Sequence, residues 1–246
     1  MSASWVAQSI DPRVSVRDGQ GYGYGWWINT KTTPNIFEAI GRGGQRISVL
    51  PGQDTVIVFT GGGIDTDEIA PYLLKAITAG DRFLALNPAA MARLRAALAA
   101  ATRPPDPTPP AALPDQARLL SGRTYMLDAN PMDWRSLSLN VASRDRASLT
   151  LGVGDQTWTA PIGLNGRYRF TQAPSSQSPW AVRGGWSSDQ GFLLDLNTVS
   201  GVNHFLVRIA PAGDREARLT IDEVTGELKG LSLIGRTAGG PRGVRP

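Results

Sequence analysis

Hydrophobic and polar positions divide the chain into three rhythms. Residues 20–62 read at strand spacing, residues 65–101 repeat apolar positions at helical spacing, and from Leu120 onward the period is again two. In the first block, 21–28 is aromatic and glycine-rich. Residues 45–50 set Arg46 and Ser48 against Ile47 and Val49, and 54–60 form a β-branched apolar run that predicts a strand buried on both faces. Pro51-Gly52-Gln53-Asp54 supplies a turn between these two strands, because proline presets φ and glycine accepts positive φ.

The second block predicts helices. Asp65 and Glu68 open the first one, Ile69, Tyr72, Leu73, Ala76 and Ile77 form its stripe, and Gly80 stops it. Asn87 caps a second helix over 88–101, with Met91, Leu94 and Leu98 on one side. The run Arg103-Pro104-Pro105-Asp106-Pro107-Thr108-Pro109-Pro110 can neither continue a helix nor pair in a sheet, so it predicts an extended, semi-rigid linker.

The third block predicts ten short strands at 124–127, 136–141, 148–153, 157–160, 168–171, 181–186, 192–196, 204–209, 217–221 and 228–233. Turn signals such as Gly154-Asp155, Asn165-Gly166, Gly213-Asp214 and Thr225-Gly226 separate them. Such a series implies an antiparallel barrel or sandwich. Trp134, Trp158, Trp180, Trp186, Tyr125, Tyr168, Phe170, Phe192 and Phe205 all fall in this block. If the sheet closes, alternate positions line either a filled core or a pocket for a small apolar ligand.

Composition removes several chemistries. The 246 residues are 41% hydrophobic and 19% charged, as in a globular protein. No run approaches the ~18 apolar residues of a membrane-spanning helix. Met1-Ser2-Ala3-Ser4-Trp5 lacks the basic and apolar regions of a secretory signal. There is no cysteine, which excludes disulfides and thiolate ligands. The net charge of +4 rests mainly on Arg236, Arg242 and Arg245 near the C-terminus, so no clustered basic face for nucleic acid is expected. With one histidine, His204, neither a transition-metal site nor any cofactor is expected. Asp222 and Glu223 flank a turn and read as solvated.

Tyr22-Gly23-Tyr24-Gly25-Trp26-Trp27, followed by Ala39-Ile40-Gly41-Arg42-Gly43-Gly44-Gln45, resembles the end of the catalytic domain of the serine β-lactamase-like family. That family comprises class C β-lactamases, related esterases and D-amino-acid peptidases. There a glycine-rich strand ending in Gly-x-Gly-Gly-Gln borders the active-site cleft. The resemblance covers about residues 20–80. Leu120-Ser121-Gly122-Arg123-Thr124-Tyr125 and the segment 186–192 are similar to the lipocalin-like barrel that ends many members, over 117–237.

The resemblance implies an α+β fold. A partial β-lactamase-like layer of three antiparallel strands and one or two helices would occupy 1–102. A linker over 103–114, a lipocalin-like barrel over 115–237 and a flexible tail over 238–246 would follow. It also implies substrate contacts at Gly41, Arg42, Gly43, Gly44 and Gln45, although those glycines would equally let a bent strand pack closely. Arg42 departs from the family pattern, with no Lys or His before it. No Ser is followed three positions later by Lys, and no Tyr two positions later by Asn. Nucleophile and base are therefore both missing, and the chain reads as a truncated or degenerate serine hydrolase.

Two alternatives stand beside that reading. One is a small-molecule or lipid-binding barrel. The other is an ester or phosphoester hydrolase with an unconventional, metal-free site, for which Tyr24, Arg42 and His204 are the catalytic candidates. A sheet whose usual cover is absent also implies a homodimer through the edge of the N-terminal sheet, around Val56, Val58 and Phe59.

Overall fold

The computed structural model describes residues 1–77, 86–172, 178–189, 191–226 and 228–237. The Gly80 helix stop and the 238–246 tail lie outside the described residues. Strand accounts for 45% of the described residues and helix for 19%. The chain is therefore mostly β, in two antiparallel sheets, and the expected α+β class does not hold. The physical reason is that strands form even where no alternation marks them, and the described helices bury no residue except in one short turn. Two compact units divide at Leu86 and Asn87.

The first unit opens with α1 (Ala3–Ser9), whose first turn Ser2 caps by accepting from Trp5 N at 3.2 Å. A six-stranded antiparallel meander follows in chain order: β1 (Val14–Arg17), β2 (Gln20–Gly23), β3 (Trp26–Asn29), β4 (Ile36–Ile40), β5 (Arg46–Leu50) and β6 (Thr55–Phe59). The expected three strands become six for two reasons. Residues 21–28 break into a hairpin, because Tyr24 and Gly25 take φ of 45° and 94° and turn the chain in two residues. In addition, β1 and β4 are too short for alternation to reveal them. β6 alternates half-buried and exposed residues rather than being buried on both faces, with Val56 and Val58 60% and 58% exposed.

Helix α2 (Thr66–Ile77) starts as expected, with Asp65 Oδ1 accepting from the amides of Asp67 and Glu68 at 2.9 and 3.3 Å. Ala70, Leu73 and Leu74 line the same small cavity as Leu50, Ile57 and Phe59, which identifies the sheet face that the helix covers.

In the second unit, α3 (Pro88–Ala101) has Asn87 at its N-cap, accepting from Ala90 N at 2.9 Å; its Met91, Leu94 and Leu98 stand exposed. Residues 104–114 are extended, as the prolines require, yet they are tied along the barrel. Thr108 N donates to Asn165 O, Arg167 Nε to Pro105 O and Arg144 Nε to Pro110 O, at 2.8 to 3.0 Å. Helix α4 (Ala117–Leu120) then buries Ala117 and Leu120.

Ten strands follow: β7 (Arg123–Leu127), β8 (Trp134–Ser143), β9 (Arg146–Val153), β10 (Gln156–Ile162), β11 (Arg169–Gln172), β12 (Pro179–Trp186), β13 (Phe192–Thr198), β14 (His204–Pro211), β15 (Glu216–Glu223) and β16 (Leu231–Thr237). They form one antiparallel sheet ordered β10-β9-β8-β7-β16-β15-β14-β13-β12-β11. Gly163 bridges to Arg183 and exchanges backbone bonds with Val182 and Gly184, so the β10 end of the sheet meets β12 and the barrel nearly closes. Ten strands exceed the eight of a lipocalin barrel. The final strand begins three residues later than expected, at Leu231, because the turn after β15 runs through Gly230 at φ 62°.

Inward positions follow the alternation. Leu137, Leu139, Leu149, Val182, Leu194, Leu196, Val207, Ile209, Leu219, Ile221 and Leu233 form a continuous core with Tyr125 and Phe192. Glycine permits this packing at one place in particular. A Cβ at Gly184 would meet the Phe192 ring at 2.8 Å. Ser121 bonds the backbone of Val141, which places the short α4 at the end of the barrel away from Trp134.

Candidate functional site at the mouth of the barrel

The other end is not filled. A cavity of about 650 Å3 opens there, lined on its walls by Trp134, Leu151, Trp158, Trp180 and Phe205. Each comes from an inward position close to the same end of its strand. The rings brace one another: Trp158 meets Trp180 edge-on at 5.2 Å, and Trp134 meets Phe205 at 5.8 Å. Such pairs contribute roughly 0.5–1.5 kcal/mol each beyond burial. The Trp158 indole N–H donates to Gln172 O at 3.1 Å, which fixes the ring plane.

Asn130 sets the position of Trp134. Its side-chain oxygen accepts from the amides of Met132 and Trp134 at 3.2 Å, and its amide donates to Trp134 O at 2.7 Å. This pattern is the local turn that asparagine makes with its own chain. Thr198 Oγ1 donates to Asn203 O at 2.8 Å and folds the 199–203 connection over the rim, helped by Ser200 at φ 65°.

One ionisable side chain lines the cavity among the described residues. Glu223 is only 7% exposed, and its Oε1 accepts from Asn203 Nδ2 at 2.9 Å. The expectation that Glu223 is solvated is corrected. It continues the inward series Ala217, Leu219, Ile221, and it pairs with Phe205 across the ladder. That period of two was the signal in the sequence. Asp222, one residue earlier, faces outward and accepts from Gly230 N at 2.7 Å.

His204 lies elsewhere, on the outer wall of the barrel. Its Nε2 is 2.7 Å from Asp195 Oδ1. Asp195 also accepts from Tyr168 Oη at 2.9 Å to both oxygens and from Arg183 Nε at 2.9 Å, and the Arg183 guanidinium lies 4.4 Å from the Tyr168 ring centre. Burial, followed by the bond to Asp195 and its charge, pushes the Tyr168 hydroxyl up to about 12. With three donors on one carboxylate, the cluster acts as an anchor across β12, β13 and β14. No local pattern in Leu193-Leu194-Asp195-Leu196 marks Asp195 as the centre of such a cluster.

The other candidates belong to the first unit. Tyr24 is 56% exposed on its hairpin, its ring 5.4 Å from Trp5 and 5.6 Å from the Arg13 guanidinium. Gly41, Arg42, Gly43, Gly44 and Gln45 form a tight loop between β4 and β5, closed by Gly41 N donating to Gln45 O at 2.8 Å. Gly43 and Gly44 hold φ of 81° and 91°, and a Cβ at Gly44 would fall 2.0 Å from Ile64 O. Close packing against Ile64 thus accounts for Gly44, and the positive φ accounts for Gly43.

Beside this loop the structure brings together a group the sequence did not suggest. Ser48 Oγ donates to Glu38 Oε1 at 2.5 Å, Arg46 Nε lies 3.4 Å from the same oxygen, and Arg46 Nη1 donates to Thr66 Oγ1 at 3.0 Å. Ser48 is buried, and the group clamps the start of α2 to the sheet. The described residues include no set of three or more acidic or histidine side chains suited to a metal ion, and no helix long and apolar enough to cross a membrane. No protein-family model, curated protein or solved structure matches the chain.

Proposed function

We propose that the barrel binds a small, largely apolar molecule in its tryptophan-lined mouth. The carrying observation is the cavity of about 650 Å3 at one end of an otherwise filled barrel. Ligand sites typically measure about 300–1,000 Å3, with mostly apolar walls and few polar groups. The fluorescent dye N-phenylnaphthylamine tests this, because tryptophan emission transfers to it. Saturable transfer at one dye per chain is expected. Val153→Trp, which fills an inward position on the rim, is expected to weaken binding about tenfold or more with an unchanged melting temperature. Transfer that never saturates, or that ignores the plug, defeats the proposal.

For residues 20–80 the proposed reading is a serine-hydrolase scaffold without acyl-transfer chemistry. It is supported by the absence of Ser-x-x-Lys and Tyr-x-Asn from this sequence and by the packing role of Gly44. A fluorophosphonate or penicillin probe should leave the intact mass unchanged; a stoichiometric adduct on any serine refutes it. Self-association of the first unit is also proposed, supported by the outer edges of β1 and β6, which pair with no strand among the described residues, and by exposed Ile47, Val56 and Val58 on one sheet face.

A further inference from the structure

We infer that the mouth of the barrel selects organic cations, namely an amine or quaternary ammonium group carried on an apolar body. This rests on the reading of the mouth as a ligand site and adds the charge of the ligand. Three features converge. First, the walls are π-systems: Trp134, Trp158, Trp180 and Phe205 surround the space, and an aromatic face attracts cations through its quadrupole. Second, the Trp158 N–H is already committed to Gln172 O, so that indole has no donor left for an anion. Third, the ionisable group on the lining is a carboxylate. Glu223 is 7% exposed and oriented by Asn203 at 2.9 Å, beside Phe205 on the neighbouring strand.

The remaining polar lining residues, Gln156, Ser178, Thr198 and Asn203, are neutral. Among the described residues, Lys229 is a base close to Glu223; its Nζ donates to the backbone carbonyl of Glu223 at 2.5 Å, and the residue does not line the cavity. An anion entering the mouth would face Glu223 at low dielectric, where like charges repel strongly. A neutral guest gains burial alone. A cation gains burial, the π faces and the carboxylate together.

The test compares three guests of matched size by tryptophan quenching and calorimetry: benzyltrimethylammonium, its uncharged isostere neopentylbenzene, and the anion benzylsulfonate. The cation is expected to bind about tenfold or more tightly than the isostere, and the anion more weakly than either. In Glu223→Gln the cation preference should fall towards one, while neopentylbenzene keeps its affinity within about twofold. Equal affinity of cation and isostere in the unaltered protein, or preference for the anion, overturns the inference and leaves the ligand site standing. If none of the three binds and N-phenylnaphthylamine also fails, the site itself is refuted. The ratio in the unaltered protein requires no variant, so the inference is exposed even where Glu223→Gln does not fold.

Discussion

At the scale of single residues, the Asp195 cluster couples stability to alkaline pH. The Tyr168 hydroxyl sits near 12 when folded, chiefly through burial and then through Asp195, against an ordinary value of 10.0. The folded state therefore holds this proton more tightly than the unfolded chain does. Its contribution is complete below pH 10, declines as pH rises, and is lost above about 12. Tyr168→Phe is expected to flatten the loss of stability between those limits, by an amount on the order of 1–2 kcal/mol. Urea unfolding at stepped pH measures it, and an unchanged slope contradicts the assignment. Asp195→Ala strands Arg183 and Tyr168 on a partly buried wall and should cost about 2–3 kcal/mol at neutral pH.

Among elements, the exposed face of β5 and β6 is the feature with a direct consequence. Ile47 pairs with Val58 and Val49 with Val56, so apolar side chains stand together on one side while Leu50, Ile57 and Phe59 border the cavity under α2. Val58→Lys places a charge in that face. It is expected to yield a monomer by light scattering at concentrations where the unaltered chain dimerises; a concentration-independent monomer mass for the unaltered chain removes the proposal. The elements also show what a sequence can reveal. The ten barrel strands were legible, because most alternate and most end at Gly, Asn or Asp turns. The strands β1 and β4 were not, since Val-Ser-Val-Arg is brief and Ile-Phe-Glu-Ala-Ile keeps no clear period. The hairpin at Tyr24 was hidden because tyrosine rarely accepts φ of 45°. The aromatic lining was legible as alternate positions. Glu223 was misread because its neighbouring turn outweighed its strand period. Asp195 was illegible, since it meets Tyr168, Arg183 and His204 only through the register of the sheet.

For the molecule as a whole, the second unit includes the proline-rich segment as part of its wall. Three hydrogen bonds fasten 105–110 to Arg144, Asn165 and Arg167. A fragment starting at Arg103 is accordingly expected to melt about 3–6 °C above one starting at Leu113. Calorimetry decides this, and equal melting points mean that the segment only lies alongside. The pairing of β16 with β7 carries a different kind of consequence. The first and last strands of the barrel are neighbours, joined by Gly235 opposite Leu127 and by Arg236 reaching Asp128 and Glu216. No stretch of nascent chain emerging from a ribosome can complete the ring until 231–237 has appeared. Until then the edges of β7 and β15 stay open and the core leaks. Closure of so distant a contact is slow, so the barrel's exposure to aggregation is set by the time its last strand takes to arrive.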